Sequence, residues 1–270
     1  MLRLIALAAG AALLAGCTSP AARHDALAAD AQLSRELRIG TGYEHVSYTR
    51  QAPPGGTLHV YFDGDGTPWL QGRWPAADPT PRVPLTLELV ARDPHGAYLG
   101  RPCYLGAGGE LPCTAALWTD ARYGEAVVRS MTSALRALLA ARRPERVVLI
   151  GYSGGGTLAM LVAERVPQLA AVVTIAANLD IGAWAQRHGY RPLTASLNPA
   201  PRAALPRAVR QIHLVGGGDS NVPPALVRAA AAQQPGSRVI EIAHFDHRCC
   251  WSEAWPDLLH QALGQAPAAP

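Results

Sequence analysis

The sequence RVVLIGYSGGGTLAML, residues 146–161, decides the fold of this chain. After Arg146 it begins with a continuous apolar run without polar alternation, which predicts a strand buried on both faces of a parallel sheet. Apolar side chains then recur at helical spacing and predict a helix over 157–166. Between the strand and the helix, the chain places Ser153 among four glycines.

The serine turn has the pattern G-x-S-x-G, formed by Gly151, Ser153 and Gly155. This pattern indicates a nucleophile when it follows a strand and opens a helix. Side chains two positions before or after the serine would collide with their neighbours in so sharp a turn. We expect the turn to expose the Ser153 hydroxyl. We also expect the amides of Ser153 and Gly154 to lie at a helix N-terminus, where negative charge is favoured. A glycine-rich turn without catalytic meaning is the alternative.

Strands and helices alternate along the rest of the chain. The predicted strands are 57–62, 146–151, 170–177, 210–217 and 237–244, and the predicted helices are 123–142, 157–166, 223–234 and 252–263. Residues 37–51 indicate one or two edge strands, 71–84 are rich in proline and irregular, and 85–92 fit either a strand or a helix. Such alternation predicts an open parallel sheet wrapped by helices.

A serine hydroxyl is a poor nucleophile until a base removes its proton, and that base needs a carboxylate to orient it. Asp219 lies just past a predicted strand, and His244 and His247 follow the last one. In a parallel sheet these strand ends meet at one edge. We therefore predict a triad of Ser153, Asp219 and one of these two histidines.

The rivals for these roles are less well placed. Asp180 follows an earlier strand and lies in the segment that we expect to form a small cap, 178–209. Asp246 is adjacent in sequence to His247 and is poorly placed to face the far nitrogen of the ring. His244 still belongs to the strand end, where a side chain more often packs or bonds locally.

Three segments carry a resemblance to the α/β-hydrolase superfamily: GYSGG at 151–155, LVGGGDSNVP at 214–223 and the region ending in His247. The resemblance covers most of 57–263 and implies an α/β-hydrolase fold, a mostly parallel central sheet with helices on both faces. A looser resemblance to bacterial lipoproteins of this fold rests on YFDGDGTPW, YLGRPCYL and RYGEAVV, which begin at residues 61, 98 and 122.

The resemblance also implies site residues. An oxyanion hole would use the amide of Gly154 and one amide of the loop after the third strand, either Asp65 or Gly66. In this superfamily the base commonly stands at the tenth place of a pattern that RVIEIAHFDH, residues 238–247, matches with His247. The substrate would be a small molecule with an ester-like acyl group; peptides, amides and thioesters use the same machinery.

The N-terminus predicts export. Arg3 precedes the short apolar run LIALAAGAALL, and LLAGC resembles the bacterial lipobox. We expect a signal peptide over 1–16, acylation of Cys17, for example with palmitate, and a tether over 17–32 before a single domain over 33–270. Thr18 favours the outer membrane, with the protein facing the periplasm of a bacterial cell envelope. A plain secretory signal with a chance cysteine is the alternative.

Disulfides are expected in that compartment. We predict that Cys103 pairs with Cys113 and closes a glycine-containing loop, while Cys249 and Cys250 form either a vicinal pair or two buried thiols. The spacing of these four cysteines matches no zinc pattern. A redox protein that uses Cys249 and Cys250 is a weak alternative, since redox dithiols usually have two residues between the cysteines.

The composition excludes other chemistry. The chain has 270 residues and a formal charge of +4 without basic clusters, which argues against a nucleic-acid partner. It contains no lysine, which excludes a phosphate-binding GxxxxGK[ST] loop, a Schiff base and a Ser-Lys dyad. Asp63 and Asp65 do not continue into a calcium loop, because Thr67 and Trp74 occupy its later ligand positions. We expect no cofactor and no metal, and the non-enzymatic alternative is a catalytically silent envelope protein that binds or scaffolds.

Overall fold

The computed structural model describes residues 18–51 and 53–264. Cys17 and the signal peptide predicted over 1–16 lie outside the described residues. Ten strands are described: β1 (Ser34–Ile39), β2 (Glu44–Thr49), β3 (Thr57–Phe62), β4 (Trp69–Leu70), β5 (Trp74–Pro75), β6 (Gly96–Leu99), β7 (Arg146–Tyr152), β8 (Leu169–Ile175), β9 (Arg210–Gly216) and β10 (Ser237–Ile242). The described helices are α1 (Pro20–Asp30), α2 (Leu85–Ala91), α3 (Glu125–Arg142), α4 (Gly154–Ala163), α5 (Ile181–Arg187), α6 (Pro224–Ala231) and α7 (Asp257–Leu263).

Eight strands form one sheet in the order β1-β2-β6-β3-β7-β8-β9-β10, and β4 and β5 form a separate hairpin. β2 runs antiparallel to β1 and β6, and every other neighbouring pair in the large sheet is parallel. The predicted mostly parallel sheet is confirmed. The carboxyl ends of β3, β7, β9 and β10 therefore lie at one edge, which we call the carboxyl edge.

The core lies on the central strands. In β7 the residues Val147 to Ile150 are all buried, as are the residues Ala171 to Ile175 of β8. Strands buried on both faces cannot alternate apolar with polar side chains, which explains the continuous apolar runs in the sequence.

Most differences from the sequence-based prediction concern the first third of the chain. Residues 85–92 resolve as helix α2, and the stretch 71–84, expected to be irregular, contains β5, which pairs with β4 just before it. β2 is an inner strand rather than an edge strand, because the unpredicted β6 pairs with its other side. β6 has only four residues, too few to show a periodicity in the sequence.

Most of the segment predicted as a tether, 17–32, is helical, because Pro20–Asp30 forms α1. The Ser19 hydroxyl caps this helix by accepting a hydrogen bond from the Ala22 amide, and His24 and Ala28 are buried. The apolar periodicity that marks the predicted helices is missing from α1, because alanines and polar residues give it no apolar stripe. None of the described helices is long and apolar enough to cross a membrane.

The structure joins Cys103 to Cys113, the pairing expected from the sequence, with 5.7 Å between their Cα atoms. It also joins Cys249 to Cys250. Of the two alternatives for this pair, the structure therefore has the vicinal disulfide and not two buried thiols. Cys249 is exposed and lies two residues after His247.

Candidate active site

Ser153 lies at the turn between β7 and α4 with φ 51° and ψ −122°. A positive φ is rare for a residue with a side chain, and such strain concentrates at functional sites. The glycines on both sides of Ser153 are required because main-chain oxygens lie where their Cβ atoms would be. A Cβ atom on Gly151 would lie 2.3 Å from the Gly155 carbonyl oxygen, and one on Gly155 would lie 2.1 Å from the Phe62 carbonyl oxygen.

The structure brings the three residues of the predicted triad together. Nε2 of His247 lies 3.1 Å from Oγ of Ser153, and Nδ1 of His247 lies 2.8 Å from Oδ2 of Asp219. An ionised carboxylate only accepts hydrogen bonds, so Nδ1 carries the proton of the neutral ring. Nε2 is then free to accept a proton from the Ser153 hydroxyl.

The carboxylate of Asp219 is buried and fixed at both oxygens. Oδ1 accepts hydrogen bonds from the amides of Asn221 and Val222, each at 2.8 Å, while Oδ2 accepts from His247. Asp219 lies three residues after the end of β9, and its own amide donates to the Gly216 carbonyl. The turn therefore holds the carboxylate in one orientation toward the His247 ring.

His247 is fixed through its main chain and its ring. The Tyr152 hydroxyl, one residue before the serine, donates to the His247 carbonyl at 2.9 Å. The Asn221 side-chain amide lies 3.1 Å from Nε2 of the ring. Neither Asn221 nor Tyr152 carries a role that the sequence predicts, because neither contact follows from a motif.

None of the residues considered as alternatives to Asp219 and His247 has a hydrogen bond to Ser153 among the described contacts. Asp180 caps α5 by accepting from the amides of Gly182 and Ala183. Asp246 accepts from the amides of Arg248 and Cys249, and these hydrogen bonds lower the pKa of its exposed carboxyl. His244 lies in the exposed turn after β10 rather than at the strand end.

The two amides of the serine turn, those of Ser153 and Gly154, differ in their hydrogen-bond partners. The amide of Ser153 donates to the Ile175 carbonyl at 2.8 Å and so is not available to a substrate. Gly154 is the first residue of α4, and amides of a first helical turn have no partner within the helix. Its amide remains the predicted donor from the serine turn.

The loop after β3 carries both candidates for the second predicted donor, Asp65 and Gly66. A Cβ atom on Gly154 would lie 2.1 Å from Oδ1 of Asp65, whereas one on Gly66 would meet the main chain of Pro79 and Pro81. Asp65 thus lies directly beside the serine turn. The sequence left the choice between the two open, because it depends on contacts with residues more than a dozen positions away.

The Asp65 side chain has a role that the sequence did not reveal. It accepts hydrogen bonds from Arg101 at 2.6 Å, from Arg122 at 2.9 Å and from the Tyr123 hydroxyl. Burial raises the pKa of Asp65, but Arg122 and Arg101 lower it more, and the balance holds that pKa at about 2. The Asp65 cluster, defined as these four residues, fixes the loop that carries the predicted oxyanion donor.

We predict that Asp65→Asn destabilises the protein by about 3–5 kcal/mol, because it leaves the buried Arg101 and Arg122 without their counter-charge. Urea unfolding measures this loss. The matched control is Glu125→Gln, which breaks a bidentate pair between Arg165 and a half-exposed carboxylate and should cost less than about 1 kcal/mol. Equal losses in the two variants would contradict the assignment.

The same cluster predicts a dependence of stability on pH. The pKa of Asp65 is depressed in the folded protein, so its contribution is present above the carboxyl's usual pKa and is lost as pH falls toward 2. Unfolding measured between about pH 4 and pH 2 should show this loss in the wild type and a smaller loss in Asp65→Asn.

The predicted cap segment, 178–209, contacts the site through Asn221. Trp184 on α5 donates from Nε1 to the Asn221 carbonyl at 3.1 Å, and Nε2 of His188 lies 2.8 Å from the same oxygen. The Leu197 amide donates to the Tyr123 carbonyl. The segment therefore lies against both the Asp219 turn and the Asp65 cluster.

Comparisons with known proteins agree with this architecture. The model of the Dienelactone hydrolase family matches residues 106–186, which include Ser153 but neither Asp219 nor His247. None of the curated proteins matches the sequence.

Solved structures resemble nearly the whole chain. A Pyrococcus furiosus esterase is 12% identical with a TM-score of 0.62, over 93% of this chain and 95% of the esterase. An alpha/beta fold family hydrolase from Bacillus anthracis is 8% identical with a TM-score of 0.51, over 86% of this chain and 98% of that protein. A puromycin hydrolase is 17% identical with a TM-score of 0.54 over 88% of this chain, which spans only 40% of that hydrolase. At these identities the likeness establishes the α/β-hydrolase fold.

Proposed function

We propose that this protein is a serine hydrolase that cleaves an ester-like acyl substrate, as a carboxylesterase does, through a triad of Ser153, His247 and Asp219. The observation that carries the proposal is the His247 ring, which lies within hydrogen-bond distance of both Oγ of Ser153 and Oδ2 of Asp219. The partial match to a hydrolase family and the likeness to hydrolase structures support it.

The first half of the reaction forms an acyl-enzyme. Oγ of Ser153 attacks the substrate carbonyl carbon while Nε2 of His247 takes the hydroxyl proton. The amides of Gly154 and Asp65 donate to the oxyanion of the tetrahedral intermediate, and each such donor is worth about 10²–10³ in kcat. The intermediate then breaks its bond to the leaving group, which receives the proton from His247.

The second half returns the enzyme to its starting state. Water attacks the acyl carbon, His247 takes a proton from that water, and the Ser153 oxygen leaves with the proton that His247 gives back. Asp219 stabilises the imidazolium that exists between the two transfers. Each of its oxygens is held, so it needs no reorganisation when the charge appears on the ring.

A partitioning experiment tests the acyl-enzyme. Several esters that share one acyl group but carry different leaving groups are hydrolysed in the presence of hydroxylamine. A common acyl-enzyme requires the same ratio of hydroxamate to acid from every ester. A ratio that changes with the leaving group would contradict the covalent mechanism, and no turnover across esters, thioesters and amides would favour a catalytically silent envelope protein.

We predict that Asp219→Asn lowers kcat by about 10⁴, the loss seen in a serine protease when the same change imposes the wrong imidazole tautomer. An amide nitrogen facing Nδ1 would place the ring proton on Nε2, so the ring could not accept the Ser153 proton. The control is Asp180→Asn, which keeps an equally good capping side chain at the start of α5 and should leave kcat close to that of the wild type. A larger loss of kcat in Asp180→Asn would show that the carboxylate is misassigned.

We also propose that Cys17 is acylated and anchors the protein to the bacterial envelope, in the outer membrane and facing the periplasm. The support is the apolar run and the LLAGC sequence that precede Thr18. Mass spectrometry of the membrane-extracted protein checks the proposal. An acylated N-terminal Cys17 is expected, and an unmodified mature N-terminus at another residue would contradict it.

A further inference from the structure

The hairpin of β4 and β5 exposes large apolar side chains. Trp69 pairs with Pro75 and Leu70 pairs with Trp74, and the Ala76 amide closes the hairpin on the Pro68 carbonyl. The exposed fractions are 39% for Trp69, 39% for Leu70 and 59% for Trp74. Two tryptophans and a leucine that are exposed on one short hairpin indicate an interaction surface.

The hairpin follows, along the chain, the loop that carries the predicted oxyanion donor. Asp65 lies beside Gly154, and Gly66 packs against Pro79 and Pro81. One residue further, the Thr67 amide donates to the Pro79 carbonyl at 2.8 Å. This hydrogen bond joins the segments before and after the hairpin. The hairpin therefore stands at the carboxyl edge of the sheet, next to the serine turn.

The chain from the predicted lipid anchor reaches the domain at the same edge. His24, on α1, has Nε2 3.9 Å from Oδ2 of Asp63, the residue that follows β3 at the carboxyl edge. The other end of α1 lies toward the opposite edge, where Arg50, just after β2, donates to the Ala31 carbonyl. Cys17 lies seven residues before His24, so an anchor there would bring the carboxyl edge close to the membrane.

The charge of the hairpin fits a phospholipid surface. Arg73 is the only charged residue between Thr67 and Ala77, and its guanidinium lies 5.1 Å from the centre of the Trp74 ring. Tryptophan is enriched at the level of lipid headgroups, and arginine is attracted to anionic lipids. No carboxylate in the hairpin repels a phosphate.

From these contacts we propose that the hairpin Trp69–Pro75 docks into the interface of an anionic phospholipid bilayer, and that Ser153 acts on an acyl ester resident in that bilayer. The substrate part rests on the proposed serine hydrolase, whereas the docking part requires no catalysis. Docking places the serine turn at the membrane surface, where an ester can reach Ser153 without crossing water.

Fluorescence quenching tests the docking. The full chain is reconstituted into vesicles of phosphatidylcholine and phosphatidylglycerol, with or without bromine on the acyl chains. Trp118, Trp251 and Trp255 are buried, whereas Trp69 and Trp74 are exposed. We expect brominated chains to quench the emission, and the double variant Trp69→Phe with Trp74→Phe to lose most of that quenching.

The variant Ser153→Ala should be quenched as the wild type is, so a failure of the proposed reaction would not obscure this result. Equal emission with and without bromine would overturn the docking. Quenching that persists unchanged in the double phenylalanine variant would overturn it as well.

A pair of substrates tests the rest of the proposal. The double variant Trp69→Ser with Trp74→Ser should hydrolyse an ester lipid in these vesicles at least about tenfold more slowly, because interfacial binding scales with buried apolar area. Its rate on a short water-soluble ester should stay within about twofold of the wild type, since the hairpin makes no membrane contact in that assay. The control is Leu37→Ser with Ile39→Ser, which removes exposed apolar side chains from β1 and should change neither rate.

An equal loss of rate on both substrates in the double serine variant would overturn the proposal. It would indicate instead that the hairpin lines the acyl-binding pocket. Unchanged rates on both substrates would also overturn it and leave the hairpin to another partner, such as a protein. If the wild type hydrolyses neither ester, the proposed function fails while the quenching result still decides the docking.

Discussion

Replacing Ser153 with alanine is expected to lower kcat on an activated ester by about 10⁶, the loss found when a serine protease loses its nucleophile. Without Oγ, His247 has no hydroxyl to deprotonate and no acyl-enzyme forms. Only the amide donors and substrate binding remain, and these leave a small rate above that of water. The loss corresponds to roughly 8 kcal/mol of transition-state stabilisation.

The matched control is Ser220→Ala, which removes an exposed hydroxyl next to Asp219 and should leave kcat within about twofold, as expected for a surface substitution. Both variants are first checked for the wild-type unfolding midpoint, because Ser153 has a positive φ that alanine must also adopt. A folded Ser153→Ala variant that keeps a near-native rate would contradict the mechanism.

His247→Ala should cause a comparable loss of about 10⁶, because the members of a triad act as one unit. The imidazole is the only group in hydrogen-bond distance of both Oγ of Ser153 and the carboxylate of Asp219 among the described residues. Its removal leaves no base to take the hydroxyl proton as Oγ attacks the substrate. The rate of acylation by an activated ester measures the effect.

His244→Ala provides the control for that variant. It lies three residues earlier, on the same segment after β10, and its side chain is exposed. We expect its kcat to stay close to that of the wild type. If His244→Ala abolishes acylation and His247→Ala does not, the base is misassigned by three residues.

The sequence predicted the parts of the site that follow from local geometry. The glycines around Ser153 are dictated by the turn itself, since a side chain at Gly151 or Gly155 would overlap main-chain oxygens. The positions of Asp219 and His247 follow from parallel strands, whose carboxyl ends share one edge. These inferences need only the order of strands and helices and the residues that come directly after each strand.

The parts that the sequence did not predict depend on contacts between distant segments. Asp65, Arg101 and Arg122 become one ion cluster only because their three loops meet beside the serine turn. Likewise, Asn221 joins the cap segment to the His247 ring through hydrogen bonds that span more than twenty residues. No local pattern marks such residues, and their chemistry as single residues is that of ordinary surface side chains.

Helix α1 shows the same limit at the level of the fold. Its composition of alanine and polar residues resembles a flexible segment, whereas in the structure His24 and Ala28 are buried and the Tyr48 hydroxyl donates to Asp25. His24 lies near Asp63, almost forty residues away, so the sequence could not show that this segment packs on the loop that follows β3.

The central claim is that Ser153 is an activated nucleophile, and labelling by a fluorophosphonate tests it most directly. The full chain is treated with the probe, digested, and the modified peptide is mapped by mass spectrometry. We predict one adduct, on Ser153, with labelling lost in His247→Ala and retained in His244→Ala. No adduct on the folded wild-type protein, or an adduct on another serine at the same rate in His247→Ala, would contradict the account.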